Sequence, residues 1–292
     1  MTILDLLPWL LATRVVLSVT ASGLQKRQLN AGEPTDAFWR STYGWMVPAA
    51  LLVLLLDSRP ESWVSGTFWF NAVLAGLLDA AGNRVMLAAL KQTDLSVFGP
   101  LTALRPVLAL LFGWFFLSER PSWAGTAGVV VTGLGALVLI SRLGSPPGSE
   151  RPDLRSLSLR AGGLALSTFA SVFLKRAVQS GTPGMTLGIW ILAGGLALEG
   201  LRRLAPASLP RAGVPHTGPW FPLHAATFFT MQWLTIVIFQ HSLLAYSFAF
   251  FQSAMVLQVL VGRFLFGEPA FGRRLLGCLV MGAGAALIAW KG

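Results

Sequence analysis

The amino-acid sequence predicts an all-α integral membrane protein of ten transmembrane helices, arranged as two inverted five-helix repeats. Three observations support this fold. Hydrophobic residues make up 54% of the 292 residues and charged residues only 12%, so a single soluble core could not cover the apolar surface. Ten windows are apolar over the about 20 residues that one hydrocarbon crossing requires. The segment from Val107 to Ala136 also recurs 149 residues later, from Val256 to Ala285.

The repeat covers nearly the whole chain at a constant offset of 149 residues. Gly113, Glu119 and Gly128 each meet an identical residue, in a segment whose identities far exceed the about one in fifteen expected by chance. The same offset pairs Ser18 with Ser167. We therefore predict a first five-helix repeat over 1–141, a polar linker over 142–158 and a second repeat over 159–292. Because five is odd, the second repeat is expected to insert upside down.

Each predicted span follows from one apolar window. The first window is a helix rather than a cleavable signal peptide, because Asp5 stands where a positive region would be needed and Arg14 lies inside the apolar run. The two long polar connections are the linker, 142–159, which contains Pro146 and Pro147, and a predicted surface loop, 202–219, which contains Pro206, Pro210 and Pro215. The ten windows centre near Val16, Pro48, Ala75, Leu108, Val131, Ala170, Ala193, Gln232, Val256 and Ala283.

The charge and cysteine content exclude several classes of protein. The net charge is +10, yet Lys and Arg are scattered between apolar spans, which indicates contact with membrane lipid and no nucleic-acid partner. The single cysteine, Cys278, excludes an intrachain disulfide and a thiolate metal cluster. No His-Glu-x-x-His motif is present, so a metal-dependent intramembrane enzyme lacks a ligand set.

The end of each repeat carries a glycine and glutamate motif that resembles an EamA-type transporter of the drug/metabolite transporter (DMT) superfamily. The first repeat reads GWFFLSERP and the second reads GRFLFGE. A lysine also closes the first helix of each repeat. The residues that carry the resemblance are Gly113, Glu119, Gly128, Gly133 and Gly135, then Gly262, Glu268, Gly277, Gly282 and Gly284, with Asp94, Leu95, Ser96, Pro100, Pro106, Lys26 and Lys175.

The resemblance implies ten helices, export or exchange of small metabolites by alternating access, and termini that are usually cytoplasmic. We accordingly expect a multi-pass protein of the bacterial cytoplasmic (inner) membrane, as a monomer or homodimer. Lys and Arg are more frequent in the connections after odd-numbered helices, which would place both termini outside. The sidedness of the termini therefore stays open.

The motif residues themselves are expected to be structural. Glycines allow helix axes to approach closely in lipid, where packing replaces the hydrophobic driving force, so they should form seams in helices five and ten. Glu119 and Glu268 end helices four and nine, where a carboxylate is expected to cap the next helix or to pair with Arg120 or Arg263.

Ionisable groups near the bilayer centre are costly and are often functional. Four are found here, in helices one, three and four. Asp79 shares a helical face with Asn83, and an ion pair between Asp79 and an arginine would serve packing alone. One carboxylate cannot neutralise three arginines, however, and a substrate carboxylate or phosphate would supply the balance. The four residues are Arg14, Asp79, Arg84 and Arg105.

The repeat offset adds polar residues from the second half to this candidate substrate site. It maps Asn83 onto Gln232 and Arg84 onto Trp233, so two amides are expected to face each other across a pseudo-two-fold axis. In helix nine, Gln252 either extends the site or bonds a neighbouring helix.

Helix eight has a weakly polar face that could line an aqueous route. We expect His224 to be a solvated residue at the helix start rather than a proton relay. The residues of this face are His224, Thr227, Met231, Thr235 and Ser242.

The sequence thus favours a secondary active transporter, an exporter or exchanger of a small anionic or zwitterionic metabolite such as an amino acid or organic acid. The alternatives are a flippase for a lipid-linked sugar or phospholipid head group, a cationic drug exporter centred on Asp79, an intramembrane enzyme and a non-transporting scaffold. No enzyme activity, cofactor or metal is expected. Proton coupling, if present, would use Asp79, the only carboxylate deep in the first repeat.

Overall fold

All regular structure in the described residues is helical. The structure is a computed structural model that describes residues 3–30, 35–57, 63, 65–90, 105–140, 154–204, 218, 220–254, 257 and 271–291. Ten helices lie within these ranges: α1 (Ile3–Asn30), α2 (Thr35–Leu56), α3 (Gly66–Leu90), α4 (Arg105–Leu117), α5 (Trp123–Ile140), α6 (Leu154–Ser180), α7 (Pro183–Leu204), α8 (Trp220–His241), α9 (Leu244–Gln252) and α10 (Phe271–Lys291).

The predicted window centres fall inside these helices, apart from Val256, which lies outside the described residues. By length and composition, three of the described helices can cross a membrane: α1, α2 and α8. Shorter apolar stretches occur in α4, α5 and α10. The described parts of α4 and α9 are 13 and nine residues long, shorter than the predicted spans.

The chain divides into two compact units, each assembled from both repeats. Unit one comprises Met1–Ala81 and Ala170–His241, so it contains α1, α2, α7, α8 and parts of α3 and α6. Unit two comprises Gly82–Phe169 and Ser242–Gly292, and contains α4, α5, α9, α10 and the remaining parts of α3 and α6. The division into sequence repeats at 1–141 and 159–292 stays a prediction, because these units group helices by contact rather than by duplication.

In unit one, α2 and α7 pack antiparallel. Tyr43 on α2 contacts Gly194 on α7. Further along α2, Leu54 contacts Gly188 and Asp57 contacts Gly184, so the residue numbers rise along one helix and fall along the other. The core beside this pair is apolar and buried: Leu54, Phe68, Ala72, Ala177, Met185 and Ile189. Helix α1 lies against α8, where the Arg27 guanidinium is 4.0 Å from the centroid of the Trp220 ring.

In unit two, α5 and α10 pack antiparallel along glycines. A Cβ atom added to Gly128 would lie 2.7 Å from the carbonyl oxygen of Gly284, and one added to Gly135 would lie 2.9 Å from that of Gly277. The two backbones are therefore in direct contact, which confirms the packing role predicted for these glycines. The same prediction is wrong for Gly282, which is exposed and has open space around it.

Candidate functional site

The predicted substrate residues fall in both compact units. Arg14, Asp79, Gln232 and Trp233 belong to unit one, whereas Asn83, Arg84, Arg105 and Gln252 belong to unit two.

In unit two, Arg105 is held by two neutral groups from other helices. It is the first described residue of α4 and is half-buried. Its Nη2 donates a hydrogen bond of 2.5 Å to the Ser167 hydroxyl on α6. Its Cζ atom lies 5.5 Å from the centroid of the Phe248 ring on α9, within cation–π range. Both contacts orient the guanidinium.

Two more predicted residues of unit two, Gln252 and Asn83, lie on the helices that meet beside the partners of this arginine. Gln252 is buried and lies one helical turn beyond Phe248, on the same face of α9. Asn83 is half-buried and follows Gly82, whose added Cβ would lie 2.8 Å from the Ser167 amide nitrogen. Helix α3 thus meets α6 beside Ser167. Arg84 lies on α3, but its side chain is outside the described residues.

Ser167 and Phe248 were not among the predicted site residues. Ser167 is buried. The sequence shows only that Ser167 is identical to Ser18 at the repeat offset, and this identity does not indicate what the serine contacts. Phe248 is one of 19 phenylalanines, so only the three-dimensional packing could single it out.

In unit one, Arg14 reaches the polar face predicted for α8. Its Nε donates a hydrogen bond of 3.2 Å to the Thr235 hydroxyl, which itself donates to the Met231 carbonyl at 2.8 Å. Gln232 and Trp233 lie half-buried in the preceding turn of α8. The structure therefore places Arg14 against the weakly polar face of α8, where it contacts Thr235.

Asp79 lies close enough to Tyr43 for its carboxylate to act electrostatically on the buried phenol. The Tyr43 ring lies 6.2 Å from Trp190 and 6.4 Å from Trp39 between ring centroids. A Cβ atom added to Gly194 would lie 3.3 Å from the Tyr43 hydroxyl, so this glycine makes room for it. A carboxylate beside aromatic rings is an environment that suits an organic cation.

The prediction that His224 is solvated is wrong. Only 1% of its surface is exposed, and a hydrogen bond of 3.3 Å joins its Nδ1 to the Thr42 hydroxyl. Phe228 stacks on the imidazole at 5.9 Å and Phe38 packs edge-on at 4.7 Å. Aromatic side chains from α2 and α8 cover the histidine, because the first turns of α8 pack against α2 instead of facing solvent.

The role predicted for Glu119 is corrected in one respect. Its carboxylate caps a helix, but that helix is α9 and not the next helix, α5. Both oxygens accept the Leu244 amide, at 3.1 and 2.9 Å. Helix α5 is capped by Ser122, whose hydroxyl accepts the Gly125 amide at 2.9 Å. Glu268 and Arg263 lie outside the described residues.

Glu199 serves the surface of unit one. It pairs with Arg203 at 3.1 Å and with Arg40 at 3.7 Å. Among the described residues, no group of three His, Cys, Asp or Glu side chains could hold a metal ion.

Charged and polar side chains held between apolar helices are typical of polytopic membrane transporters. Residues 8–141 match the EamA-like transporter family. This match agrees with the resemblance that the motif residues carry, and it supports a membrane transporter of the DMT type. EamA-like proteins are transporters and not enzymes.

The whole chain also shares its fold with a solved protein. A crystal structure, described only as that of a protein, superposes with a TM-score of 0.73 at 18% sequence identity, covering 97% of this chain and 96% of that one. At this identity the likeness concerns the fold alone. No curated protein is similar enough to the chain to count as a match.

Proposed function

We propose that this protein is a secondary active transporter that exports or exchanges a small anionic or zwitterionic metabolite, such as an amino acid or organic acid, across the bacterial inner membrane. The observation that carries the proposal is the Arg105 guanidinium, held between α4, α6 and α9 of unit two. The family match to EamA-like transporters supports transport as the activity.

The chemistry of Arg105 favours an anionic group on the substrate. An arginine within a membrane span costs about 2.5–3.5 kcal/mol on insertion scales, so a chain that keeps one there is expected to use it. A planar guanidinium can bind a carboxylate or phosphate through two parallel hydrogen bonds. Ser167 and Phe248 are uncharged and fix the plane of the group. The amides of Asn83 and Gln252 add donors and acceptors for the rest of a polar substrate.

Alternating access by inverted repeats is supported by the packing within each unit. Helices α2 and α7 occupy equivalent places in the two repeats and pack antiparallel, as do α5 and α10. Antiparallel packing of equivalent helices is what an upside-down second repeat would produce.

Transport in proteoliposomes tests this proposal. Purified wild type should exchange internal and external labelled substrate from a panel of amino acids and organic acids, and Arg105→Ala should reduce this exchange at least tenfold. Arg105→Lys should be intermediate, because a lysine keeps the charge but loses the two-bond geometry. Arg203→Ala is the matched control, since that arginine is 75% exposed and pairs only at the surface of unit one. Unchanged exchange in both Arg105→Ala and Asn83→Ala would rule out this site.

A second candidate function is export of an organic cation at Asp79. The observation that favours it is that the Asp79 carboxylate acts electrostatically on Tyr43, whose ring lies near Trp39 and Trp190. Transport of organic cations that is lost in Asp79→Asn and retained in Arg105→Ala would select this function over the first.

A further inference from the structure

Helix α9 begins without a cap of its own. Its N-cap residue is Leu243, which makes no side-chain cap hydrogen bond. The first amides of a helix have no partner within the helix, and a buried amide without a partner costs free energy. Glu119 fills this role from the end of α4, with both carboxylate oxygens on the Leu244 amide. A carboxylate is also favoured by the helix dipole at this end.

The backbone around Glu119 directs its carboxylate toward the first turn of α9. Ser118 adopts a left-handed backbone with φ of 55°, a conformation that costs a non-glycine residue about 1–2 kcal/mol. This turn brings the Glu119 amide within 3.1 Å of the Gly113 carbonyl oxygen. A Cβ atom on Gly113 would lie 2.6 Å from Oε2 of Glu119, so a side chain at this position would displace the carboxylate. The spacing of Gly and Glu in the family motif thus has a local physical reason.

Helix α9 in turn carries the ring that contacts Arg105. Phe248 lies one turn after Leu244, so the first turn of α9 sets where this ring lies. A second contact holds the same turn, since the Tyr246 hydroxyl accepts the Ser122 amide at 3.1 Å. Two groups from the α4–α5 connection therefore fix the start of α9, one of them charged.

We infer that Glu119 is a positioning residue for the substrate site: by capping α9 it holds Phe248 against Arg105 and so fixes the guanidinium in its binding orientation. The inference rests on the proposed function for its biological meaning. Glu119 itself does not touch the substrate. Removing the carboxylate frees the first turn of α9, whereas the Ser122–Tyr246 contact keeps the helix in place.

Two readouts that need no substrate test this inference. The first is amide hydrogen exchange in the peptide that contains Leu244 to Phe248. The second is the rate at which phenylglyoxal, an arginine-specific reagent, modifies Arg105, followed by mass spectrometry. In Glu119→Ala both rates should rise on the order of tenfold, as expected for the loss of a helix cap. Glu119→Gln keeps one oxygen acceptor without the charge and should fall between Ala and wild type.

Arg203 supplies the internal control, because its exposed guanidinium should react at the same rate in every variant. Faster exchange at Leu244 with unchanged Arg105 reactivity would overturn the inference, because Glu119 would then be a local cap only. Unchanged exchange at Leu244 would overturn it as well. If Glu119→Ala does not fold, the same comparison is made with Glu119→Gln. A failure of Arg105→Ala to impair transport would contradict the proposed function but leave this coupling measurable.

Discussion

The helix pairs α5/α10 and α2/α7 use glycine in different ways. Both pair helices from equivalent places in the two repeats, and both run antiparallel. In α5/α10 the glycines meet the backbone of the partner helix, as Gly128 meets the Gly284 carbonyl. In α2/α7 the glycines Gly184, Gly188 and Gly194 receive side chains from the partner helix. One pair is closed by backbone contact and the other is filled by side chains.

This difference separates a helix contact of fixed distance from one that holds polar side chains. Two backbones in contact cannot come closer or admit a side chain, so α5/α10 fixes the distance between its helices. A seam filled by side chains can carry polar groups, and in α2/α7 it carries Asp57 and Tyr43. Gly128, Gly135, Gly277 and Gly284 therefore fix the distance between α5 and α10, whereas Gly282 does not.

The largest effect is expected from a side chain placed between the α5 and α10 backbones. Gly128→Val should lower the free energy of unfolding by about 3 kcal/mol or more, because its Cβ would lie 2.6 Å from the Ile288 side chain and 2.7 Å from the Gly284 carbonyl. Gly282→Val is the control, since that glycine is exposed with open space around it. Unfolding of the purified protein in detergent measures both, and equal losses would contradict a backbone seam.

A smaller effect is expected from the acid that caps α7. Asp57 accepts the Gly184 amide at 2.7 Å, and its backbone carbonyl accepts the Thr182 hydroxyl. Asp57→Ala should cost about 1–2 kcal/mol of unfolding free energy, as for other lost caps, and Asp57→Asn less, because an amide oxygen still accepts. The same unfolding assay ranks the two variants. An Asp57→Ala protein as stable as wild type would show that the cap does not hold α2 to α7.

The two seams should also respond differently to a compensating change. The atoms nearest to a Cβ on Gly188 belong to the Leu54 side chain, so Gly188→Ala should cost less than about 1.5 kcal/mol and be partly relieved in the double variant Gly188→Ala, Leu54→Ala. In α5/α10, Ile288→Ala should not relieve Gly128→Ala, because the Gly284 carbonyl stays in place. If Ile288→Ala did relieve Gly128→Ala, or if Leu54→Ala did not relieve Gly188→Ala, the assignment of backbone contact to α5/α10 and side-chain contact to α2/α7 would be contradicted.

The smallest effect is expected at Tyr43. Tyr43→Phe keeps the ring contacts with Trp39 and Trp190 and removes only the hydroxyl, so the free energy of unfolding should change by less than about 1 kcal/mol. Differential scanning calorimetry of the purified wild type and variant measures this difference in unfolding free energy. A loss larger than that of Asp57→Ala would mean that the hydroxyl, rather than the packing, holds this seam.

Local sequence features predicted much of this fold. Apolar windows located the helices because hydropathy acts over about 20 neighbouring residues. The glycines of α5 and the charge at Arg105 were also visible, since both depart from an apolar background.

Pairing between distant residues could not be predicted in this way. The sequence indicated that Glu119 caps a helix, but its partner Leu244 is 125 residues away. The sequence did not indicate what Ser167 or Tyr43 contacts, because only packing decides the partner of a serine or a tyrosine in an apolar helix. The burial of His224 depends likewise on rings supplied by α2.

Anion-dependent thermal stabilisation tests the central claim, that Arg105 binds an anionic group of the substrate, most directly. Purified wild type, Arg105→Ala and the control Arg203→Ala are each heated with a panel of amino acids, organic acids, sugar phosphates and organic cations. The account predicts that at least one carboxylate or phosphate compound raises the melting temperature of wild type and Arg203→Ala but not of Arg105→Ala. Equal stabilisation of Arg105→Ala by the same anion, or stabilisation of wild type by organic cations alone, would contradict it.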